Sequence, residues 1–529
     1  MHQDLPPARK DYLVSWMMVL LALSPVIVIT LLLTLRRTAA DTAGLIGLGV
    51  TAAVAWLVFE TSPVVILRAG LGGLVASLPI SLVVATSILQ VTLMLETGAI
   101  ARLVTLIKTV APADQVVQIM LINVGVGTVL TALGAVPVSI LPPIMLALGY
   151  TSFAAIALPA IGYDALCTYA LLGVPAVVFA NLVGRPVEEV GIYFARYMPA
   201  VSTCIAMGMV WIVGRWKLVW RGLAPTLLAG LTAGFVAIGM NALGLVTVTG
   251  IAAGLAVVLV MLLYLRLTGR PLMDRAGLDE SDLAAEHGLS LESAISPWVI
   301  LTFFSLLVNA PFLPVMDLVF SRWALPLEII PGAPERLRLF WQAYFWILIS
   351  TALALPILRV SRVHLRTTVR KWWRRAPRPV ISAAVFFAIA YIINHSGKTA
   401  DWTLPDPQFN MVQVIAQAAA TGLGRLYPAI APFLGLLGGF ISGSETSAIA
   451  MLTGLHLSTA EKIGAAGLLV AAASGIGGGL ASVISPAKLQ NAAAAIDRIG
   501  EESVVIRTTF VVSLAITAVV AVLTLAWAF

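Results

Sequence analysis

The chain has 529 residues, of which 60% are hydrophobic and 11% charged. A soluble domain holds about 45–50% apolar and about 25% charged residues, so this composition excludes a soluble globular enzyme and makes lipid the solvent for most of the chain. The net charge of +7 sits in loops and reads as membrane topology, not as a nucleic-acid surface.

Apolar segments fall at 13–35, 42–60, 72–95, 116–134, 138–158, 160–183, 197–214, 223–243, 248–265, 297–320, 339–358, 379–394, 409–421, 428–442, 446–457, 463–485 and 504–528. The first lacks a small-residue cleavage site and reads as a retained helix. Regions 128–145 and 428–457 are broken by Gly, Pro, Ser and Thr. They read as re-entrant hairpins or interrupted helices, which membrane depth tolerates only where protein or a wet cavity covers the backbone. The expectation is an all-α polytopic membrane protein with about 12–14 crossings.

Arg36-Arg37, the run Arg215, Lys217 and Arg221, and the run from Arg359 to Arg378 mark cytoplasmic loops. The amino terminus is then outside, although Arg9 and Lys10 argue against that. Within the last loop, Lys371-Trp372-Trp373-Arg374-Arg375 suits headgroup depth, as a positive-inside anchor or as a lipid-recognising element. The polar stretch Arg270–Ser296 reads as a cytoplasmic linker with one surface helix.

Two stretches echo each other. Pro79-Ile80 opens an apolar run closing on Glu96-Thr97-Gly98, and Pro379-Val380 opens one closing on His395-Ser396-Gly397. Downstream, Gly173-Val174-Pro175 leads to Glu188-Glu189 and Arg196, as Ile484-Ser485-Pro486 leads to Glu501-Glu502 and Arg507. The topology sends the first echo inward and the second outward. This predicts two inverted repeats, residues 1–221 and 297–529, joined by 222–296, with a binding site where their broken helices meet.

The sharpest candidate site is Ser442-Gly443-Ser444-Glu445-Thr446-Ser447. Half-helix amides and hydroxyls there suit an anion. Glu445 is either a proton carrier in an apolar setting or a helix-end cap. The first-half counterpart offers Thr128, Thr131 and Ser139 but no charge. Asp164 is alone between Asp114 and Arg185, a second proton-coupling candidate or a satisfied buried acid, with Tyr163, Thr168 and Tyr169 supplying hydroxyls nearby. Lys488 and Asn491, after the break at Ser485-Pro486, are candidate substrate contacts; the lysine equally suits snorkelling to the interface. Gly475-Ile476-Gly477-Gly478-Gly479 reads as a close-packing or hinge element, since no Walker lysine follows. His395 reads as a solvated interfacial histidine. Cys167 and Cys204 have no metal spacing and no structural disulfide is expected. No cofactor is expected.

Ala431-Pro432-Phe433-Leu434-Gly435 through Ser444-Glu445-Thr446-Ser447 resembles the bacterial L-lactate permease family, which carries Pro-Phe-Leu-Gly followed by Gly-Ser-Asp-Thr-Ser at the same spacing. Ile392-Ile393-Asn394-His395-Ser396-Gly397, Ile484-Ser485-Pro486 and Gly500-Glu501-Glu502-Ser503 match as well. The resemblance implies a proton symporter of the inner membrane that takes up L-lactate, glycolate or a related 2-hydroxy acid. The wider ion-transporter superfamily implies a scaffold and a mobile transport domain working by alternating access, often as a homodimer. The first half departs from the family: Leu130-Thr131-Ala132 replaces Leu-Glu-Gly, and Tyr163-Asp164-Ala165-Leu166 replaces Asn-Thr-Ala-Pro, so Asp164 is a candidate replacement for the missing acid. Sodium coupling is the nearest alternative. A membrane-embedded enzyme or complex subunit is the alternative of another class.

Overall fold

The computed structural model describes residues 15–34, 36, 38, 40–110, 114–134, 137–276, 278–309, 313–485, 488, 489, 492, 493, 496, 498 and 501–529. Helix dominates because backbone polar groups within lipid must satisfy one another inside the segment. Among the described residues, ten helices are long and apolar enough to cross a bilayer, or up to 11 with the pair Glu280–Gly288 and Leu291–Ser305, bent by 64°. Four shorter apolar helices, Trp16–Leu32, Asp41–Leu57, Ser152–Gly162 and Ala343–Ile357, account for the larger number read from composition.

The segment 138–158 is two helices, Pro137–Ala147 and Ser152–Gly162. Gly149 sits at φ +87° between them, a left-handed turn that glycine adopts at little cost. A hairpin of strands Leu325–Ile330 and Ala333–Leu337 was not apparent in the sequence reading. Its Glu335 accepts a hydrogen bond of 2.5 Å from the Tyr391 hydroxyl.

The two echoed stretches lie in spans of near-equal length, Pro63–Glu96 with 34 residues and Arg362–Asn394 with 33. They pack against each other and run antiparallel. Gly70 faces Ile392 and Gly73 faces Ala388. Farther along, the Trp372 indole donates to the Ala85 carbonyl at 2.8 Å and Lys371 pairs with Glu96 at 2.5 Å. A Cβ on Gly73 would stand 2.6 Å from the Ala388 Cα, so only glycine permits this crossing.

Ion pairs gather the basic loops at one end of the molecule. Asp41 lies 3.8 Å from Arg378, Glu96 pairs with Lys371, Asp114 pairs with Arg270, and Gly222 packs on Val116. The linker helix Glu280–Gly288 opens on a capping box between Asp279 and Asp282. It docks on Ala99–Thr109 through Lys108–Asp282 at 2.6 Å and Arg102–Glu286 at 3.3 Å. The polar stretch Arg270–Ser296 carries this one helix before Leu291–Asn309 begins.

Candidate functional site

Helix Tyr427–Ser442 ends at Gly443, whose φ of +69° reverses the chain. Ser444 is extended and caps the next helix, Glu445–Ile463, its hydroxyl accepting from the Ser447 N–H at 3.4 Å. The second helix folds back on the first, so that Gly438 lies against Ala448 and Leu452. The interruption at Gly443-Ser444 is where the sequence placed it.

Glycines then draw in a third helix, Gly467–Leu480. A Cβ on Gly435 would meet the Ser474 carbonyl oxygen at 1.8 Å, one on Gly477 the Pro432 oxygen at 2.0 Å, and one on Gly439 the Gly478 oxygen at 2.1 Å. Backbone touches backbone along this line, the close approach expected of small residues between membrane helices. The Gly475–Gly479 run is a packing element.

This packing places Glu445. It is the first residue of its helix and only 3% exposed, beside amide groups that have no partner within the helix. Its Oε1 accepts a 2.6 Å hydrogen bond from the Thr168 hydroxyl. Its Oε2 lies against Gly479, where a Cβ would stand 2.7 Å away, and makes no hydrogen bond among the described residues. The Cys167 thiol stands beside the same carboxylate, and Lys488 is the cation whose field reaches it. Lys488 also donates to the Ser482 hydroxyl at 2.6 Å.

Thr168 and Cys167 belong to the irregular segment Tyr163–Tyr169, a tight 3₁₀ stretch broken at Leu166 with φ −140° and ψ 44°. Three left-handed residues follow: Leu171 at φ 53°, Leu172 at 59° and Gly173 at 76°. Each leucine held there costs about 1–3 kcal/mol, strain of a kind that clusters at functional sites. The site therefore joins two irregular segments far apart in sequence.

The other sequence candidates fall as follows. Thr446 and Ser447 are buried on the first turn after Glu445, and the Ser447 hydroxyl has no partner among the described residues. Gly443 and Ser444 form the break itself. The Thr131 hydroxyl donates to the Gly127 carbonyl at 2.8 Å inside its own helix, while the buried Thr128 hydroxyl has no partner among the described residues. No hydrogen bond among the described residues joins either threonine to Glu445. The side chains of Ser139, Tyr163, Asp164 and Ser442, and residue Asn491, lie outside the described residues.

The sequence reading named Cys167 and Gly479 without placing either beside Glu445, and it did not anticipate the π-helical turn Met120–Val126 that holds the buried Asn123. Such turns recur at functional sites. Gly162 packs on that turn, a Cβ there falling 2.8 Å from the Asn123 carbonyl oxygen. The lone asparagine in the apolar segment 116–134 was the available signal. A narrow cleft lined by Leu172, Thr247, Ser305, Trp341, Gln342 and Trp346 opens beside the left-handed run; neither Glu445 nor Thr168 lines it.

A family profile for L-lactate permeases matches residues 18–529. The chain belongs to the L-lactate permease family. The glycolate permease GlcA of Escherichia coli strain K12 is 25% identical over 96% of this chain and 95% of its own length. The L-lactate permease of Bacillus subtilis strain 168 is 25% identical over the same shares, 96% and 95%. The L-lactate permease of Escherichia coli strain K12 is 24% identical over 84% of each chain. The protein is a permease and not an enzyme, a multi-pass protein of the bacterial inner membrane.

Proposed function

We propose that this permease carries a small organic carboxylate, L-lactate, glycolate or a related 2-hydroxy acid, inward together with a proton. The names of its relatives support the substrate class. The observation that carries the coupling is Glu445: a buried carboxylate held by Thr168 through one oxygen, with the other oxygen unpartnered among the described residues. An anionic substrate cannot approach a buried carboxylate without repulsion in a medium of low dielectric. Protonating Glu445 removes that repulsion and turns Oε2–H into a hydrogen-bond donor. The substrate carboxylate is then received by amides at the start of Glu445–Ile463 and by the hydroxyls of Ser444, Thr446 and Ser447. Lys488 offers a positive charge on the same side. Release of substrate and loss of the proton restore the Thr168–Glu445 pair. Asp164 is a second proton group in this scheme, and Thr128, Thr131, Ser139, Ser442, Tyr163 and Asn491 are the remaining candidate contacts.

The antiparallel pairing of Pro63–Glu96 with Arg362–Asn394 supports inverted halves, 1–221 and 297–529, bridged by 222–296, and alternating access by their relative motion. Sodium is the rival coupling ion. The nearness of Lys488 to Glu445 favours the proton, because a bound cation would share the site with an ammonium group. Uptake of radiolabelled lactate or glycolate into proteoliposomes tests the reading. An imposed inward proton gradient should drive accumulation, and exchanging sodium for potassium at fixed pH should leave it unchanged. Accumulation that follows sodium and ignores the proton gradient would overturn it.

A further inference from the structure

The transport scheme makes no use of the helix Arg362–Arg375. Its inward face is fixed: the Trp372 indole is tied to the Ala85 carbonyl, Lys371 to Glu96, and Thr368 is buried. Its outward face carries two parallel stripes. Arg362, Arg366, Arg370 and Arg374 recur every four residues, all exposed, and so line up along one side of the helix. Leu365, Val369 and Trp373, each three positions after an arginine, form the adjoining stripe and are 44%, 46% and 70% exposed.

A helix face solvated by water has no use for that second stripe. Trp373 stays 70% exposed beside the four arginines. Among the described residues none of the four arginines reaches a carboxylate, and the helix itself contains no acid. The combination of unopposed guanidinium groups with apolar side chains at the same level fits one medium, the boundary between phosphate headgroups and acyl chains. The same end of the molecule carries a second cluster of this kind. Trp216 and Trp220 are 60% and 70% exposed among Arg215, Lys217 and Arg221. Lysine and arginine near an anionic leaflet act alike through their charge.

We propose that Arg362, Arg366, Arg370 and Arg374, with Leu365, Val369 and Trp373, form a docking surface for anionic phospholipid headgroups of the cytoplasmic leaflet. The surface would hold the basic end of the Arg362–Asn394 span at headgroup depth. Each basic residue near a charged leaflet contributes roughly a fivefold preference for anionic over neutral lipid.

The test uses the full chain in lipid nanodiscs of phosphatidylcholine, with or without phosphatidylglycerol, and counts co-purified lipid by native mass spectrometry. The wild type should retain phosphatidylglycerol in preference to phosphatidylcholine. Arg366→Gln with Arg370→Gln should lower that preference roughly tenfold or more, while thermal unfolding in phosphatidylcholine discs stays at the wild-type midpoint. Arg366→Lys with Arg370→Lys keeps the charge and should keep most of the preference, which guards against a folding defect in the glutamine variant. Soluble glycerol phosphate should not compete. Equal phosphatidylglycerol retention by wild type and the glutamine variant would overturn the proposal. Full competition by glycerol phosphate would also overturn it, by showing a free-phosphate site in place of a lipid surface.

Discussion

The Thr168 hydroxyl and the Glu445 carboxylate meet at 2.6 Å across 277 positions of sequence. One comes from the irregular segment of the first half, the other from the first turn after the break in the second. Removing the donor with Thr168→Val should cost about 1–3 kcal/mol of stability if the carboxylate stays charged. Glu445→Gln keeps the shape but cannot exchange a proton. Its expected phenotype is uncoupling: substrate counterflow between equal pools persists, while accumulation driven by a pH gradient is lost. Counterflow and gradient-driven uptake measured on the same proteoliposomes check this.

Gly479 is constrained by that carboxylate, since a methyl group there would stand 2.7 Å from Oε2. Gly479→Ala should therefore depress gradient-driven uptake more than tenfold with modest loss of thermal stability. Adding Glu445→Asp, which withdraws the carboxylate by one methylene, should recover part of the lost rate. A double-mutant cycle on the uptake rate measures the coupling.

Gly435 and Gly477 face backbone oxygens, not side chains, at 1.8 Å and 2.0 Å from a notional Cβ. Backbone cannot rotate out of the way, so Gly435→Ala or Gly477→Ala should destabilise the fold by at least about 1–3 kcal/mol, the usual range for overpacking. Gly239, which has open space around it, is the control, and Gly239→Ala should be neutral or better. Thermal unfolding in detergent distinguishes the two classes.

Asp279 caps the linker helix. Its carboxyl is held down to about 2, first by the Ser281 hydroxyl, then by the Asp282 backbone N–H and by Lys108. A depressed carboxylate stabilises the native state above its unfolded value, near 3.9, and the contribution fades as pH falls toward 2. Protection factors for the amides of Glu280–Gly288, taken against the intrinsic exchange rate at each pH, should thus be flat from neutral pH to about 4 and fall below that. Because Asp279 is exposed, added salt should weaken the Lys108 contribution at neutral pH.

Local chemistry made much of this legible. Gly443-Ser444 had to interrupt a helix, because glycine ends helices and serine begins them. Arg270–Ser296 was too polar to lie in lipid. The echo of Pro79-Ile80 in Pro379-Val380 drew attention to two apolar runs, and these lie in the two long spans. Other features depend on contacts that no local pattern encodes. Leu171 and Leu172 are left-handed because their surroundings impose it, against leucine's own preference. The turn at Gly149 was hidden inside a run apolar enough to pass for one helix. Thr168 stood among the hydroxyls noted near Asp164, but nothing local predicted that it would reach Glu445. The strand hairpin had a readable signal in Pro331-Gly332, where Gly332 turns at φ +73°; its apolar flanks blended with the neighbouring spans.

The two long helices carry one more implication. At 1.5 Å per residue, 34 residues measure about 51 Å, whereas the hydrocarbon layer is about 30 Å thick. In its partner the polar stretch Arg362–Arg375 stays at headgroup depth, and Pro377–Asn394 alone crosses the hydrocarbon. The longer span must lean or emerge, and its contacts with Arg362–Asn394, from Gly70 on Ile392 to Glu96 on Lys371, make the two tilt as a pair. Membrane thickness then bears on the tilt of this pair, a route by which hydrophobic mismatch reaches the permease.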